Sequence, residues 1–154
     1  MYSTICFSVF CLLILSRPSS SHFILSYPAS LGFDANNENV SPCGGFPISF
    51  SSATNYHVGG DSTALTTLHP QSNFLFRGTL DPTASGNWSN FLPVVGEYGL
   101  GAFCEASVAV PSSWVGSQGI IQVLQNAEDG VHYQVRSCSI LVLFSAQVCW
   151  RRPK

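Results

Sequence analysis

Apolar stretches in this chain are short, and each is cut off by glycine, proline or asparagine. Residues 62–68, 73–78, 91–95 and 119–124 are the clearest, and His22 to Tyr27 is another, stopped by Pro28. No window carries a helical period of apolar positions, and no internal repeat is visible. The stretch 119–124 is rich in β-branched residues, which favour a pleated, half-buried surface. With 13 Gly and 9 Pro in 154 residues, the chain has to build its core from short strands joined by turns. The expectation is one all-β domain, an antiparallel β-sandwich. Hydrophobic residues at 45% exclude a disordered tail, and charged residues at only 9% leave no basic cluster before the last four positions. Binding of nucleic acid through a charged surface is therefore excluded.

The first residues read as an address. Phe7 to Leu15 is an unbroken apolar run apart from Ser8, far below the roughly 20 residues needed to cross a bilayer. Small residues at Ser19 and Ser21 suit signal peptidase, so residues 1–21 are expected to be a signal peptide cleaved before His22. Secretion follows as the expected localisation. Cleavage removes Arg17, Cys6 and Cys11 and leaves Cys43, Cys104, Cys138 and Cys149. In an oxidising compartment these four predict two disulfides, and all three pairings stay open. Two sequons, at Asn39 and Asn87, fit a glycoprotein.

Cleavage at that point places a histidine first, with a free α-amine. The amine and the imidazole Nδ1 of one residue can close a ring around a metal ion. A second imidazole opposite them gives three nitrogens in a T, which suits tetragonal Cu(II). The remaining histidines are His57, His69 and His132. His69 stands at the end of an apolar run and before Pro70, which holds the backbone extended or turning. A ligand at a strand end is fixed by the sheet while its tip stays accessible. His57 lies in a Gly-rich loop and His132 follows an Asp-Gly turn, so both are expected to be exposed. An oxygen donor could come from Glu128 or Asp129.

Several motifs are then familiar together. His22-Phe23-Ile24-Leu25, Pro28, Gly32-Phe33-Asp34 and Pro42-Cys43-Gly44-Gly45-Phe46 occur in order. They are followed by Leu68-His69-Pro70, Asp81-Pro82-Thr83, Phe103-Cys104 and Asp129-Gly130 with Tyr133-Gln134. Over residues 22–134 the chain resembles the fungal copper-acquisition proteins, relatives of lytic polysaccharide monooxygenases that are not seen to cut polysaccharide. The resemblance implies an immunoglobulin/fibronectin III-like sandwich, often glycosylated and held at the cell surface by a GPI anchor. It implies a copper site at His22, His69 and Asp129, one Cu(II) per chain. From Val135 to Lys154 the chain departs from the family pattern. Two readings of this tail stay open: a retained intron followed by a shifted frame, or a final strand over 139–144.

The expected function is copper binding for acquisition or homeostasis, without catalysis. Expected partners are the copper ion, a plasma-membrane copper transporter and the cell wall, and the protein is expected to be a monomer. Two other classes compete. An oxidative polysaccharide-cleaving enzyme would need an open metal position and a glycan surface, for which Tyr27, Tyr56, Trp88 and Trp114 are the aromatic candidates. A structural cell-wall glycoprotein would carry its histidines incidentally.

Overall fold

A computed structural model describes residues 22–142 and Cys149. The expected leader, residues 1–21, and most of the tail beyond Val142 lie outside the described residues. Nine strands follow one another: β1 (Phe23–Tyr27), β2 (Thr54–His57), β3 (Asp61–Thr67), β4 (Gln71–Thr79), β5 (Ser89–Asn90), β6 (Val95–Tyr98), β7 (Gly101–Val108), β8 (Gln118–Ala127) and β9 (Gly130–Leu141). One 3-10 turn, Ser112–Trp114, precedes β8. No helix among the described residues is long and apolar enough to cross a membrane.

The strands form two sheets. One has the order β1-β3-β7, and the other β2-β9-β8-β4-β5, with β6 also paired to β4. Phe23 and Leu25 of β1, Leu65 of β3 and Val108 of β7 pack against Phe74, Phe76 and Val123 of the second sheet. The two inner faces thus make one core, as the sandwich reading requires. β4 shows why these residues form a strand: Ser72, Phe74 and Phe76 alternate inward, at period two. Pairing is antiparallel throughout the named strands except between β2 and β9, which run parallel from Thr54↔Cys138 to His57↔Leu141.

Both faces of the larger sheet are covered. Ile121 and Val123 of β8 face the sandwich core. Ile120 on the opposite face packs with Val135, Cys43 and Ala84, under Leu31, Ile48 and Phe50 of the long segment between β1 and β2. That segment is pinned to β9 by backbone bonds from Leu31 N to Val135 O (2.9 Å) and from Tyr133 N to Glu38 O (2.8 Å). The Cys43-Gly44-Gly45 step serves this approach. Gly44 has φ +63°, and a Cβ there would lie 2.5 Å from the Tyr133 carbonyl oxygen, so only glycine fits.

Three expectations need correction. The stretch 91–94 lies outside any strand, and only Val95 enters one, β6. Pro93 cannot donate to a ladder, and Phe91 and Leu92 instead cap the core edge between β5 and β6. Of the four cysteines, Cys104 and Cys149 form a disulfide with Cα atoms 5.9 Å apart, while Cys43 and Cys138 are free and buried. The reason is placement: Cys138 faces the inner core beside Tyr56, and Cys43 packs on the outer face of the same sheet. Residues 139–141 do lie in the final strand, but that strand, β9, starts at Gly130 rather than at Ser139, and residues 143–144 lie outside the described residues. Of the four candidate aromatics, Tyr56 and Trp114 are core residues, and the Trp88 ring lies under the Arg77 guanidinium at 4.6 Å. Asn39 and Asn87 are exposed in loops.

Candidate metal centre

Three chain segments meet at one end of the sandwich. His22 immediately precedes β1, and its carbonyl accepts from Leu68 N at 2.9 Å. His69 lies in the turn between β3 and β4. Glu128 and Asp129 form the two-residue turn between β8 and β9, where Ala127 pairs with Gly130. Antiparallel pairing brings the start of β1 to the end of β3, through Phe23↔Thr67. The fold therefore puts the three residues expected at the site, His22, His69 and Asp129, at the same end.

His69 Nε2 lies 2.9 Å from Asp129 Oδ1. It is Asp129, not the exposed Glu128, that reaches the imidazole. Glu128 lines a polar cleft of about 370 Å³ together with His69, Pro70 and Ser72. His69 and Asp129 form a possible metal-holding group with a residue expected elsewhere, His132. His132 Nε2 is 3.8 Å from Asp129 Oδ1, and its ring stacks on that of His69 at 5.8 Å between centroids.

His132 is a correction to the sequence reading, which places it on the surface. It is 3% exposed. On β9 it shares the inward face with Gln134, Cys138 and Ile140, and Val135 and Ser137 are buried on the other face, so burial here comes from a sheet covered on both sides.

A second group consists of His22, Glu38 and His132, all buried. Glu38 had no place in the sequence reading. It lies in the Asn-rich turn after Phe33 and is 1% exposed. Its Oε2 approaches His22 Nδ1 at 3.0 Å, without the alignment of a hydrogen bond. Its Oε1 accepts from Gln134 Nε2 at 2.6 Å. A lone glutamate in a polar loop has no periodicity to betray burial, so a single sequence offers no signal for it.

The electrostatics favour donors over cations. Burial holds both His22 and His132 below the usual histidine pKa, reinforced by the neighbouring imidazoles and opposed by Asp129. Neutral imidazoles keep a lone pair for a metal. Burial pushes the Glu38 carboxyl up to about 7, against the hydrogen bonds from Gln134 and the Phe23 backbone. The buried Nδ1 of His132 has no hydrogen-bond partner among the described residues. Such a nitrogen is costly when left unmade, and a bound cation would satisfy it.

Two glutamines hold the site in place. Gln134 of β9 accepts from Leu25 N at 2.9 Å and donates to the Phe23 carbonyl, so β1 is tied across the sandwich at its first residues. Gln125 of β8 donates to Thr67 Oγ1 at 3.0 Å and to Ser72 Oγ at 3.1 Å. Thr67 Oγ1 in turn accepts from His69 N at 3.3 Å. The segment that carries His69 is thereby fixed at both flanks. His57, in contrast, sits at the other end of β9 opposite Leu141, with its Nδ1 2.9 Å from Asp61.

Comparison with known protein families gives a match over residues 20–148 to the family described as copper acquisition factor BIM1-like. No curated protein matches the chain.

Proposed function

Because the chain belongs to the BIM1-like copper acquisition factor family, we propose that it is a secreted or cell-surface protein that binds copper for acquisition or homeostasis and does not cleave polysaccharide. One Cu(II) per chain is held by the α-amine and Nδ1 of His22, by His69 and by Asp129. The observation that carries this reading is the gathering of His22, His69, His132, Glu38 and Asp129 at one end of the sandwich. Nitrogen-rich sets with a carboxylate suit Cu(II), and the anionic oxygen favours it over Cu(I).

Removal of residues 1–21 is part of making the site, because the amide of an unprocessed chain is a very poor donor. Support for this step comes from the apolar run 7–15 and the small residues before His22. In the same reading, Asn39 and Asn87 carry glycans, and a membrane copper transporter receives the ion. Asp129 occupies a position that oxygen or substrate would need, which agrees with a carrier rather than an oxidase.

The test is a titration of protein beginning at His22 with Cu(II), followed by metal analysis and paramagnetic resonance. One tight copper per chain with a tetragonal, nitrogen-rich signal is expected. Absence of copper after desalting would overturn the reading and leave a structural glycoprotein.

A further inference from the structure

The ligand atoms at this end of the sandwich fall into two groups, each with its atoms within 4.8 Å of one another. Donors on one ion sit about 2.0–2.2 Å from it, so two of them lie at most about 4.4 Å apart. Each group therefore needs only small side-chain adjustments to close on a cation. The outer group is His69, Asp129 and His132, and the Asp129 side chain is 31% exposed there. The inner group is His22, Glu38 and His132, in which no residue exceeds 5% exposure. His132 belongs to both. Its Nε2 lies on the Asp129 side at 3.8 Å, and its Nδ1 is buried without a hydrogen bond.

We propose that the copper site has two adjoining stations, an outer one that presents the ion at His69 and Asp129 and an inner, buried one that retains it at His22, Glu38 and His132. The proposal rests on the copper reading above and extends its ligand set by two residues. Moving inward, the ion keeps His22 and His132, gives up His69 and Asp129, and takes Glu38. No electron moves; only ligands exchange. Glu38 supplies a negative charge inside the sandwich, where a divalent cation with neutral ligands alone would be strongly disfavoured. The outer station borders the polar cleft beside His69, through which a chelator or a recipient protein can reach the ion. The inner group is buried, with His22, Glu38 and His132 each at most 5% exposed. A carrier needs both properties, retention and delivery, and adjoining stations separate them.

Glu38 and His132 do not otherwise require this chemistry. Gln134 would be satisfied equally by an amide oxygen at position 38, and nothing among the described residues hydrogen-bonds His132 Nδ1. Glu38→Gln is therefore a mild probe, since it keeps the acceptor for Gln134 and removes the charge. His132→Gln removes the shared imidazole.

The experiment loads protein beginning at His22 with one equivalent of Cu(II), records its paramagnetic resonance, and follows loss of copper to an added chelator. The wild type should show two Cu(II) signals and release copper in two phases, the slower at least tenfold slower than the faster. Glu38→Gln should still bind one copper, lose one of the two signals and release in the fast phase alone, whereas His132→Gln, which removes a ligand common to both groups, should lose the slow phase and also speed the fast one. If His132→Gln does not fold, Glu38→Gln decides, with its copper-free melting temperature as the check. A single signal and single phase in the wild type would overturn the two stations while leaving the copper reading intact, as would a slow phase that survives in Glu38→Gln. A wild type that holds no copper at all would instead overturn the copper reading itself.

Discussion

Histidine 69 and histidine 57 make the sharpest contrast at the level of single residues. His69 lies 2.9 Å from Asp129 at the end of the sandwich where copper binding is proposed, whereas His57 pairs with Leu141 at the far end of β9. Nine residues of strand separate Leu141 from His132, about 30 Å at the usual rise per residue. His69→Ala should lower Cu(II) affinity by at least tenfold, about 1.4 kcal/mol, and His57→Ala should leave it unchanged; competition titration checks both. Asp129→Ala should raise the reduction potential of the bound copper, because a hard carboxylate oxygen favours Cu(II). Glu128→Ala should leave that potential where it is, since Glu128 belongs to neither group of ligand atoms. Voltammetry of the loaded proteins separates the two. These residues also show how far the sequence could be read. A histidine at a strand end before proline was legible, because the proline fixes the backbone. The burial of His132 follows from a sheet covered on both faces, which a single sequence does not show, and the burial of Glu38 was not legible at all. It depends on a loop folding back onto Tyr133 through a glycine that no side chain could replace.

Elements are held together by a few buried polar side chains, and their removal should be felt as loss of stability. Gln134 satisfies two backbone groups of β1 and one carboxylate oxygen of Glu38. Gln134→Leu strands them in the core and should cost about 2–4 kcal/mol in denaturant unfolding. Tyr56 donates its hydroxyl to the Val108 carbonyl at 2.7 Å, joining the larger sheet to β7 of the smaller one. Tyr56→Phe should cost about 1–2 kcal/mol by the same measurement. The turn after β4 gives a pH-dependent case. Asp81 accepts hydrogen bonds from the Ser85 and Thr83 hydroxyls and backbone amides, and these hold its carboxyl well below the usual range. A depressed folded pKa adds stability above the unfolded value of 3.8 that disappears as pH falls through the folded one. The melting temperature of Asp81→Ala should therefore lie below that of wild type at pH 6 and approach it at strongly acid pH. A difference that stays constant with pH would contradict this. Asp81-Pro82-Thr83 thus reads as a turn motif, distant in role from the proposed metal ligands it accompanies in the sequence.

At the scale of the whole molecule, the sandwich was legible because its strands obey simple periodicities: alternation in β4 and β-branched density in β8. What escaped was long-range. β2 is a four-residue strand with no strong pattern of its own, and it exists because β9 offers an edge to pair with in parallel. The segment 91–95 looked like a strand by composition, yet it uses its apolar residues as a cap. The cysteine count suggested two bridges, but Cys43 and Cys138 were folded onto opposite faces of one sheet. Copper that binds only the folded protein should stabilise it by mass action, by about 2.7 kcal/mol at a free concentration a hundred times the Kd. Chelator should reverse the rise in melting temperature. The central claim is that the metal is held through a first residue, His22, whose own amine is a ligand. β1 forms in the full-length chain with Ser21 still ahead of His22, so one added residue does not disturb the fold. Protein beginning at His22 should therefore be compared with the same protein carrying one extra glycine before it, by competition titration with Cu(II). The account predicts equal melting temperatures without copper and at least a tenfold weaker Kd for the extended form; equal affinity of the two would contradict it.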